Sequence, residues 1–427
     1  MADDLLEIGT TGLRRTGMTV IEEFVTSLTG IRGARTYREM SDNDPVIGSI
    51  LFAIEKIILR LDWKIEQDSD QPEDMLAAEF VQECLDDMSD SFDATLQSVL
   101  SMLTFGWSYH EIVYKRRLGP DQDDPTKRSR FNDGRVGWRK WPTRAQETLW
   151  GWDFDQQGSV QGMIQVDPYN QTHGNVTIPI DKALLFRITT NKGNPEGRSL
   201  LRNAYRPWWY NRRIEEIEAI GIERDLAGLP VAYVPAEYLS STATAEQSIV
   251  LSAVQQIVTS IKRNEQEGVI MPTVYDDAGH KMFDLTLLST GGQRQFDTDK
   301  VITRYDQRIA MSVLSDFILL GHDRVGSFAL GSSKIDLWTM AVDAIAKAIA
   351  EVVNTHAIPR LLTINGIQVE SKPRLVYGEV SHTDLTEIAD FVQKLAGAGA
   401  LVPDPRLEDH LRSLAGLPPA EDTTPTV

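Results

Sequence analysis

Histidine and cysteine are the residues that most readily hold metal ions or act as nucleophiles, and this chain has seven histidines and one cysteine. The histidines form no H-E-x-x-H pair and no closely spaced ligand set with Cys84. Cys84 falls in a helical pattern with Leu76 and Phe80, so we expect a core residue. A single cysteine excludes an intramolecular disulfide, which fits a reducing compartment. The sequence predicts no metal site and no cofactor.

Two glycine-rich stretches, 193–199 and 326–333, are candidates for a phosphate-binding loop. The first has three residues rather than four between Gly193 and Gly197, and the second lacks the lysine that would reach the phosphates. No G-x-S-x-G elbow occurs, and the carboxylates are too numerous for one acid–base pair to stand out. These patterns give no support to a catalytic site, and we expect a protein that is not an enzyme.

Aromatic clusters are the remaining candidates for binding chemistry, because their rings can stack on sugars or bases. The two clusters are Trp138, Trp141, Trp150, Trp152 and Trp208, Trp209, Tyr210. We favour packing in the core or at a subunit interface. The alternative, a carbohydrate-active hydrolase, requires two carboxylates that converge in a deep cleft beside Trp150 or Trp152.

The charge of the chain argues against a tight nucleic-acid clamp. It has 427 residues, with 62 acidic and 43 basic side chains and a formal charge of -19. Residues 60–92 hold eleven acids and two bases, whereas residues 115–144 hold ten bases and four acids. These segments indicate either two solvated faces or charge-complementary contact between neighbouring subunits. No stretch reaches the roughly 18 apolar residues of a membrane span, and the N-terminus lacks a secretion signal.

The elements that must position these residues begin after a loosely packed N-terminal arm, 1–40. Asp44-Pro45 caps a helix whose apolar residues run to Leu61 at helical spacing. Further elements are helices 75–88 and 92–105, a break at Gly106, a strand 107–114, and an antiparallel β region 138–187.

The second half predicts a helix over 207–226, a β run 231–234, a helix 245–264, a β run 269–274 and the turn 276–279. Helix 296–320 follows, then a break over 321–331 and a long helix 334–356, with Ser333 and Asp336 as a capping box. The long helix carries one apolar stripe, Trp338, Val342, Ile345, Ile349 and Val353. Strands 361–369 and 374–380, helices 384–396 and 405–414, and a Pro/Thr tail complete an α+β chain.

Four stretches of this order resemble the portal family of tailed phages, and its Mu-type branch in particular. They are Asp44-Pro-Val-Ile47 with Trp63; Phe105-Gly106-Trp-Ser108-Tyr-His-Glu111-Ile112; Pro195-Glu-Gly197-Arg-Ser199-Leu-Leu201-Arg202-x-x-Tyr205-Arg206-x-Trp208-Trp209; and Asp306-Gln-Arg308-Ile309-Ala310 through Leu320-Gly321. The third is the most specific. The resemblance covers about residues 40–400 and departs from longer members by its short C-terminus.

The resemblance implies an elongated portal fold with a wing domain, two stem helices, an α/β clip, a tunnel loop and a long wing helix. Its segments would be the arm 1–40, wing 41–201, stem helix one 202–226, clip 227–295, stem helix two 296–320, tunnel loop 321–333, long helix and return to the wing 334–382, and a short crown and tail 383–427.

The resemblance also assigns residues to functional positions. The tunnel loop would place Gly321, His322, Asp323, Arg324, Gly326, Ser327 and Gly331 near DNA. The stem would carry Arg212, Arg213, Glu216, Arg304 and Arg308. The clip would offer Gln255, Lys262, Arg263, Asp276 and Asp277 to partner proteins.

By the same resemblance the chain is a structural protein that forms a homododecameric ring at one capsid vertex of the virion. Double-stranded DNA would pass through the ring during packaging and ejection. Its partners would be the terminase packaging motor, a head–tail adaptor and the major capsid protein, with assembly in the cytoplasm of the bacterial host. A tail or baseplate structural protein is the alternative, which lacks the order stem, clip, stem.

Overall fold

The computed structural model describes residues 9–166, 174–227, 229–260, 275, 278–281, 283–288, 297–313 and 328–380. The chain divides into two compact units, one of Met1–Arg202 with Leu320–Val427 and one of Asn203–Leu319. The predicted β run 269–274 and helices 384–396 and 405–414 lie outside the described residues.

Helices and strands both contribute to the fold. The helices are α1 (Gly30–Asn43), α2 (Pro45–Arg60), α3 (Pro72–Asp86), α4 (Phe92–Val99), α5 (Ser101–Phe105), α6 (Tyr205–Ala227), α7 (Ala245–Ser260), α8 (Thr298–Ser312), α9 (Phe328–Val352) and α10 (Ile358–Ile364). The strands are β1 (Arg15–Thr16), β2 (Thr19–Val20), β3 (Lys64–Glu66), β4 (Trp107–Glu111), β5 (Val113–Arg116), β6 (Val136–Lys140), β7 (Thr143–Arg144), β8 (Leu149–Phe154), β9 (Val160–Val166), β10 (Asn175–Pro179), β11 (Ala183–Arg187), β12 (Leu229–Tyr233), β13 (Asp284–Leu288) and β14 (Arg374–Val376). The α+β prediction is confirmed.

Helix α2 forms as predicted because both its start and its buried face are encoded locally. The Asp44 side chain accepts hydrogen bonds from the backbone N–H groups of Val46 and Ile47, each at 2.9 Å. Pro45 occupies the first turn, where its missing N–H costs nothing. The buried face consists of Ile47, Ile50, Ile54 and Ile58.

The β region buries three of the four tryptophans of the first aromatic cluster, in line with the packing that the sequence favoured. Strands β10, β9 and β8 form one antiparallel sheet, and β11, β4 and β7 form another. Trp152 is buried and meets Trp107 edge to face, with ring centroids 5.0 Å apart. Trp138 and Trp141 are buried as a second edge-to-face pair, whereas Trp150 is exposed.

The acidic segment 60–92 and the basic segment 115–144 form ion pairs with each other inside one copy of the chain. The sequence analysis had predicted solvated faces or contacts between subunits instead. Lys115 Nζ lies 3.0 Å from Asp87 Oδ2, and both side chains are buried. Arg117 Nη2 lies 2.6 Å from Glu83 Oε2. These contacts fold the basic segment onto the end of α3, so these charges serve the fold of one copy.

The N-terminal arm is not loosely packed throughout, and the prediction for 1–40 is wrong from residue 15 onward. Strands β1 and β2 pair as a hairpin, and α1 buries Gly33, Ala34, Tyr37 and Met40. These positions have helical spacing, but two of them are small. The pattern therefore lacks the large aliphatic stripe that signals a helix in sequence.

Helix α9 begins at Phe328 and not at Lys334, so Ser333 lies inside the helix and is not its cap. Gly331 therefore belongs to a helix and not to the predicted loop. A single glycine destabilises a helix by only about 1 kcal/mol relative to alanine, so one glycine need not interrupt a helix as long as α9. The predicted stripe is confirmed, since all five of its residues are buried.

The predicted strand 361–369 is wrong, because its first part belongs to α10, which follows α9 through a π-helical turn, Val353–Ala357. Proline has no N–H and crowds the carbonyl one turn earlier, so it normally ends a helix. The wider π turn directly before α10 accommodates Pro359. Only β14 of the predicted strand pair forms, and its partner is β3.

The second unit contains two long helices and an α/β insert between them in sequence. Strands β12 and β13 pair antiparallel, and α7 packs against β12. Tyr238 and Phe283 meet edge to face, with centroids 5.3 Å apart. Among the residues described in either unit, no helix is long and apolar enough to span a membrane.

Candidate functional site

Helices α6 and α8 correspond to the two stem helices that the resemblance implied, and they pack against each other. Helix α6 ends before Leu229, where β12 begins, and α8 starts after Asp297, whose side chain accepts from the N–H of Lys300. The sequence pattern predicted helices over 207–226 and 296–320, and the resemblance put the start of the first at 202. Helix α6 starts at Tyr205, between those two positions, and α8 starts at Thr298. Residues 314–320 lie outside the described part of the chain.

Three contacts fix the pairing of these helices. Asn211 Nδ2 donates to Asp306 Oδ1 at 2.8 Å. Tyr210 stacks on Tyr305, with centroids 6.1 Å apart and an interplanar angle of 18°. Nearer the other end of each helix, the Thr298 hydroxyl donates to Glu218. Because higher numbers in α6 meet lower numbers in α8, the two helices run antiparallel.

The predicted charged residues of α6 form one cluster. Arg212 Nε and Arg213 Nη1 each lie 3.4 Å from a different oxygen of Glu216. The three side chains are largely exposed, so the pairing adds little stability. The guanidinium of Arg212 also lies 5.8 Å from the centroid of the buried Trp208 ring.

The predicted charged residues of α8 sit on either side of one tyrosine. The guanidiniums of Arg304 and Arg308 lie 5.4 and 5.7 Å from the centroid of the Tyr305 ring. Tyr305 is the ring that stacks on Tyr210 of α6. Both arginines are exposed.

Most of the remaining predicted site residues lie outside the described part of the chain. Gln255 is exposed on α7. The other four insert residues, Lys262, Arg263, Asp276 and Asp277, lie outside the described residues, as do six residues of the predicted loop, Gly321, His322, Asp323, Arg324, Gly326 and Ser327.

The second and third stretches of the resemblance contact each other, a relationship that sequence reasoning missed. Gly106 ends α5 with φ +92°, and a Cβ built there would lie 2.7 Å from Glu196 O. Gly197 has φ +55°, and its Cβ would lie 2.4 Å from Gly106 O. The Ser199 hydroxyl donates to Thr104 O at 2.5 Å. This close approach of backbones explains both glycines.

A cavity of about 350 Å³ lies beside this glycine contact. Glu196 lines it and accepts a hydrogen bond from Trp152 Nε1 at 3.2 Å. Burial raises the pKa of Glu196 to about 7, although the bond from Trp152 lowers it. Glu22 and Glu23 also line the cavity, and each is engaged in an ion pair, with Lys192 at 3.2 Å and Arg202 at 2.5 Å.

This cavity contains carboxylates beside Trp152, as the hydrolase alternative requires. It holds carboxylates with pKa values shifted in opposite directions, which is typical of acid–base pairs. The ring of Trp152 is buried and cannot stack on a sugar, and Trp150 does not line the cavity. Glu22 and Glu23 connect the N-terminal segment to residues 189–202 through their ion pairs with Lys192 and Arg202. These carboxylates therefore stabilise the fold and are not arranged for catalysis.

Ser108 and His110 form a hydrogen-bonded pair of the kind used in nucleophilic catalysis, and the sequence analysis did not predict it. Ser108 Oγ lies 2.6 Å from His110 Nε2, and Trp141 O accepts from Nδ1 at 2.9 Å. Both side chains are fully buried, and burial lowers the pKa of His110 to about 4. No substrate reaches this pair, and the hydrogen bonds fix strand β4 instead. Their i, i+2 spacing in a predicted strand was the available signal.

Comparison with known proteins assigns the chain to a protein family. A family model described as the portal protein of Mu bacteriophage matches residues 34–416. Three solved structures are similar to this chain. Two are necks of gene transfer agent (GTA) particles: that of an empty particle computed with C6 symmetry, at TM-score 0.52, and that of a native particle computed with C12 symmetry, at TM-score 0.50. Each is 12% identical, and the match covers 90% of this chain and 94% of the other.

The third is an HK97 family phage portal protein from Corynebacterium diphtheriae, at TM-score 0.42 and 10% identity, with 78% of this chain and 92% of the other covered. The two neck structures share the fold of this chain, and the family match extends over most of its length. The chain therefore belongs to the Mu bacteriophage portal protein family and is a phage portal protein of the capsid vertex.

Proposed function

We propose that copies of this portal protein form a homododecameric ring in which the α6–α8 pair of each copy is the stem that lines a central channel for double-stranded DNA. The observation that carries the proposal is the antiparallel pairing of two helices 95 residues apart, from Asn211 to Asp306. The neck structures computed with C6 and C12 symmetry support a ring. The compact unit Asn203–Leu319 supports the assignment of stem and clip to one body.

A channel for a sliding polyanion must attract DNA weakly. Each phosphate that a protein neutralises releases counterions and adds salt-dependent affinity, which would hold the DNA in place. The chain is acidic, with a formal charge of -19, and Arg304 and Arg308 are the exposed cations that flank Tyr305 on α8. This balance favours passage over retention. The part of the predicted tunnel loop that precedes α9, residues 321–327 with His322 and Arg324, is the second segment that we place near DNA.

We assign the α/β insert between the stem helices to the clip, which docks the terminase during packaging and the head–tail adaptor afterwards. Its folded core of β12, β13 and α7 supports a separate docking body. Within it, Gln255, Lys262, Arg263, Asp276 and Asp277 are the proposed contact residues. Residues 41–201 form the wing, which contacts the major capsid protein. The residues 383–427 would form a short crown and tail.

We further propose that the protein has no catalytic centre of its own. The portal family is structural, and the buried Ser108–His110 pair has no access for substrate. Energy for DNA movement then comes from the terminase. Assembly takes place in the host cytoplasm, before the ring becomes part of the virion.

Charge reversal in the insert tests the docking role. Phage that carries Lys262→Glu with Arg263→Glu is expected to form rings of normal size but to package little DNA, because the motor no longer docks. DNA content of purified heads and ring mass of the purified portal measure the two effects separately. The control is Lys64→Glu on β3, an exposed wing residue, which should leave packaging unchanged.

Two outcomes contradict this assignment. If the Lys262→Glu, Arg263→Glu protein forms no rings, the insert is needed for assembly of the subunits and not for docking. Normal packaging by that protein would show that Lys262 and Arg263 do not contribute to docking of the packaging motor.

A further inference from the structure

The groove between β3 and α3 is lined mostly by apolar side chains and is open to solvent. Its volume is about 590 Å³. Pro72, Met75 and Leu76 are neighbours on one face of α3, because residues three and four apart lie next to each other on a helix. The exposed fractions of Met75 and Leu76 are 46% and 63%. The other lining residues are Ile65, Gln67, Ala78, Glu79 and Gln82. We call this set of residues the α3 groove.

The backbone beside the α3 groove favours a helix as its occupant and not a further strand. The Ile65 N–H on β3 donates to Gln82 Oε1 at 2.9 Å, so it is not free to pair with another strand. The outer edge of β14 is also occupied, because the Asn354 side chain bonds to both the N–H and the carbonyl of Leu375. A helix satisfies its own backbone and needs only an apolar face to contact.

The described chain passes the groove shortly before its last residue. Strand β14 pairs with β3, and the Gly378 N–H donates to Asp62 O at 3.1 Å. The six residues from Gly378 to Asp384 can span up to about 20 Å. Asp62 and Ile65 are about 10 Å apart along extended chain. Residues 384–396 belong to the same compact unit as α3, so they are within reach of the groove.

The sequence of residues 384–396 matches the shape of the α3 groove. These residues lie outside the described part of the chain, and their pattern predicts a helix. The apolar residues fall on one side of that helix and are Leu385, Ile388, Val392 and Leu395. They span about 15 Å, which is also the length of α3 from Pro72 to Gln82. The charged residues on the opposite side are Glu387, Asp390 and Lys394.

We propose that the apolar side of helix 384–396 docks into the α3 groove of the same copy, antiparallel to α3. The direction follows from the position of Ile65 beside Gln82, near the C-terminal end of α3. A chain that arrives from Asp62 enters the groove at that end. Docking covers the exposed apolar side chains of α3, which soluble proteins rarely leave as an open patch. The inference goes beyond the proposed function, since it concerns contacts within one copy.

Thiol labelling of the full-length protein tests whether the groove is covered. Met75→Cys places a thiol in the α3 groove. Val176→Cys is the matched control, because Val176 lies on β10 with a similar exposed fraction of 49%. The native Cys84 is buried, and burial raises the pKa of its thiol to about 11, so it reacts slowly.

Substitutions in the C-terminal segment then change the cover and leave the groove itself intact. Ile388→Asp with Val392→Asp places two charges on the apolar side of the segment. This change should raise the labelling rate of the Met75→Cys thiol at least about tenfold, equivalent to about 1.4 kcal/mol. Thr386→Asp with Gln393→Asp adds the same charge to the polar side and should leave that rate unchanged. Neither pair should alter the rate of the Val176→Cys thiol.

Three results would overturn the inference. One is an unchanged rate of the Met75→Cys thiol in the Ile388→Asp, Val392→Asp protein, and another is an equal increase in the polar-side control. The third is a rate that falls with protein concentration and ignores the segment, since a second copy would then cover the groove. If circular dichroism shows an altered fold, Ile388→Ala with Val392→Ala decides in the same way, because truncation adds no charge. None of these results bears on ring formation.

Discussion

Asn211 donates from its side-chain amide to Asp306 across 2.8 Å, although 95 residues separate the two positions in the chain. Asn211 is buried. A buried polar bond between distant segments fixes register as well as proximity, because a shift by one residue would leave the amide without its acceptor. This contact and the Tyr210–Tyr305 stack therefore define how the two helices of the proposed stem align.

Replacing Asn211 with Asp should loosen this pair. The substitution removes the donor and places a carboxylate against Asp306, so both charge repulsion and desolvation act against folding. We expect a loss of about 2–4 kcal/mol in unfolding free energy at pH 7, measured by urea denaturation. Adding Asp306→Asn to Asn211→Asp reverses donor and acceptor and should recover most of the loss. A double variant as unstable as Asn211→Asp would show that the bond does not form.

The contact of Gly106 with loop 194–199 should tolerate no side chain. In Gly106→Ala the new Cβ meets Glu196 O at 2.7 Å, and φ is +92°. Strain and collision together should cost at least about 3 kcal/mol. Gly158→Ala is the matched control, because φ is +96° there but nothing lies within 4 Å. It should cost about 1–2 kcal/mol, so equal losses in thermal unfolding of the two variants would refute the collision.

The buried ion pair between Lys115 and Asp87 should matter far more than an exposed one. Asp87 also accepts from Ser129 Oγ at 2.6 Å and from the N–H of Arg130 at 3.0 Å. Asp87→Ala removes the acceptor of these two donors and leaves the buried ammonium without its counter-charge, although Lys115 Nζ still donates to the backbone oxygens of Asp87 and Arg128. The loss should cost about 3–5 kcal/mol. The control Glu66→Ala removes the exposed partner of Lys64 and should cost less than about 1 kcal/mol. Similar unfolding midpoints for both variants would contradict the role of burial.

Acid should destabilise the fold through His110. Its folded pKa is about 4, lowered by burial from a usual value of 6.5. The unfolded chain therefore takes up a proton between pH 6.5 and pH 4 while the folded chain does not, so stability falls as the pH falls through that window. The difference in unfolding free energy between wild type and His110→Gln should shrink by about 3 kcal/mol from pH 7 to pH 4. A constant difference would mean that His110 titrates normally in the folded protein.

Local signals in the sequence were enough for much of the fold. Asp44-Pro45 marks the start of α2, and the apolar stripe from Trp338 to Val353 marks the buried face of α9. Each of these signals lies within a few turns of one helix. The order of the elements and the four matching stretches then led to the portal family, which the family model confirms.

What the sequence could not give depends on contacts between distant residues. The buried face of α1 consists of residues such as Gly33 and Ala34, which resemble a loop until other elements cover them. The long helix was predicted to end at residue 356, but the π-helical turn Val353–Ala357 continues the chain into α10. The meeting of Gly106 with Gly197 is likewise invisible to any local pattern. The predicted roles of the stem, insert and loop residues stay predictions.

Electron cryomicroscopy of the purified full-length protein tests the central claim most directly. The account predicts a closed ring with an axial opening, in which α6 and α8 of each copy stand antiparallel along the wall, with Asn211 next to Asp306. A particle that contains one compact copy, a closed assembly without an opening, or a ring whose wall is formed by other elements would contradict it.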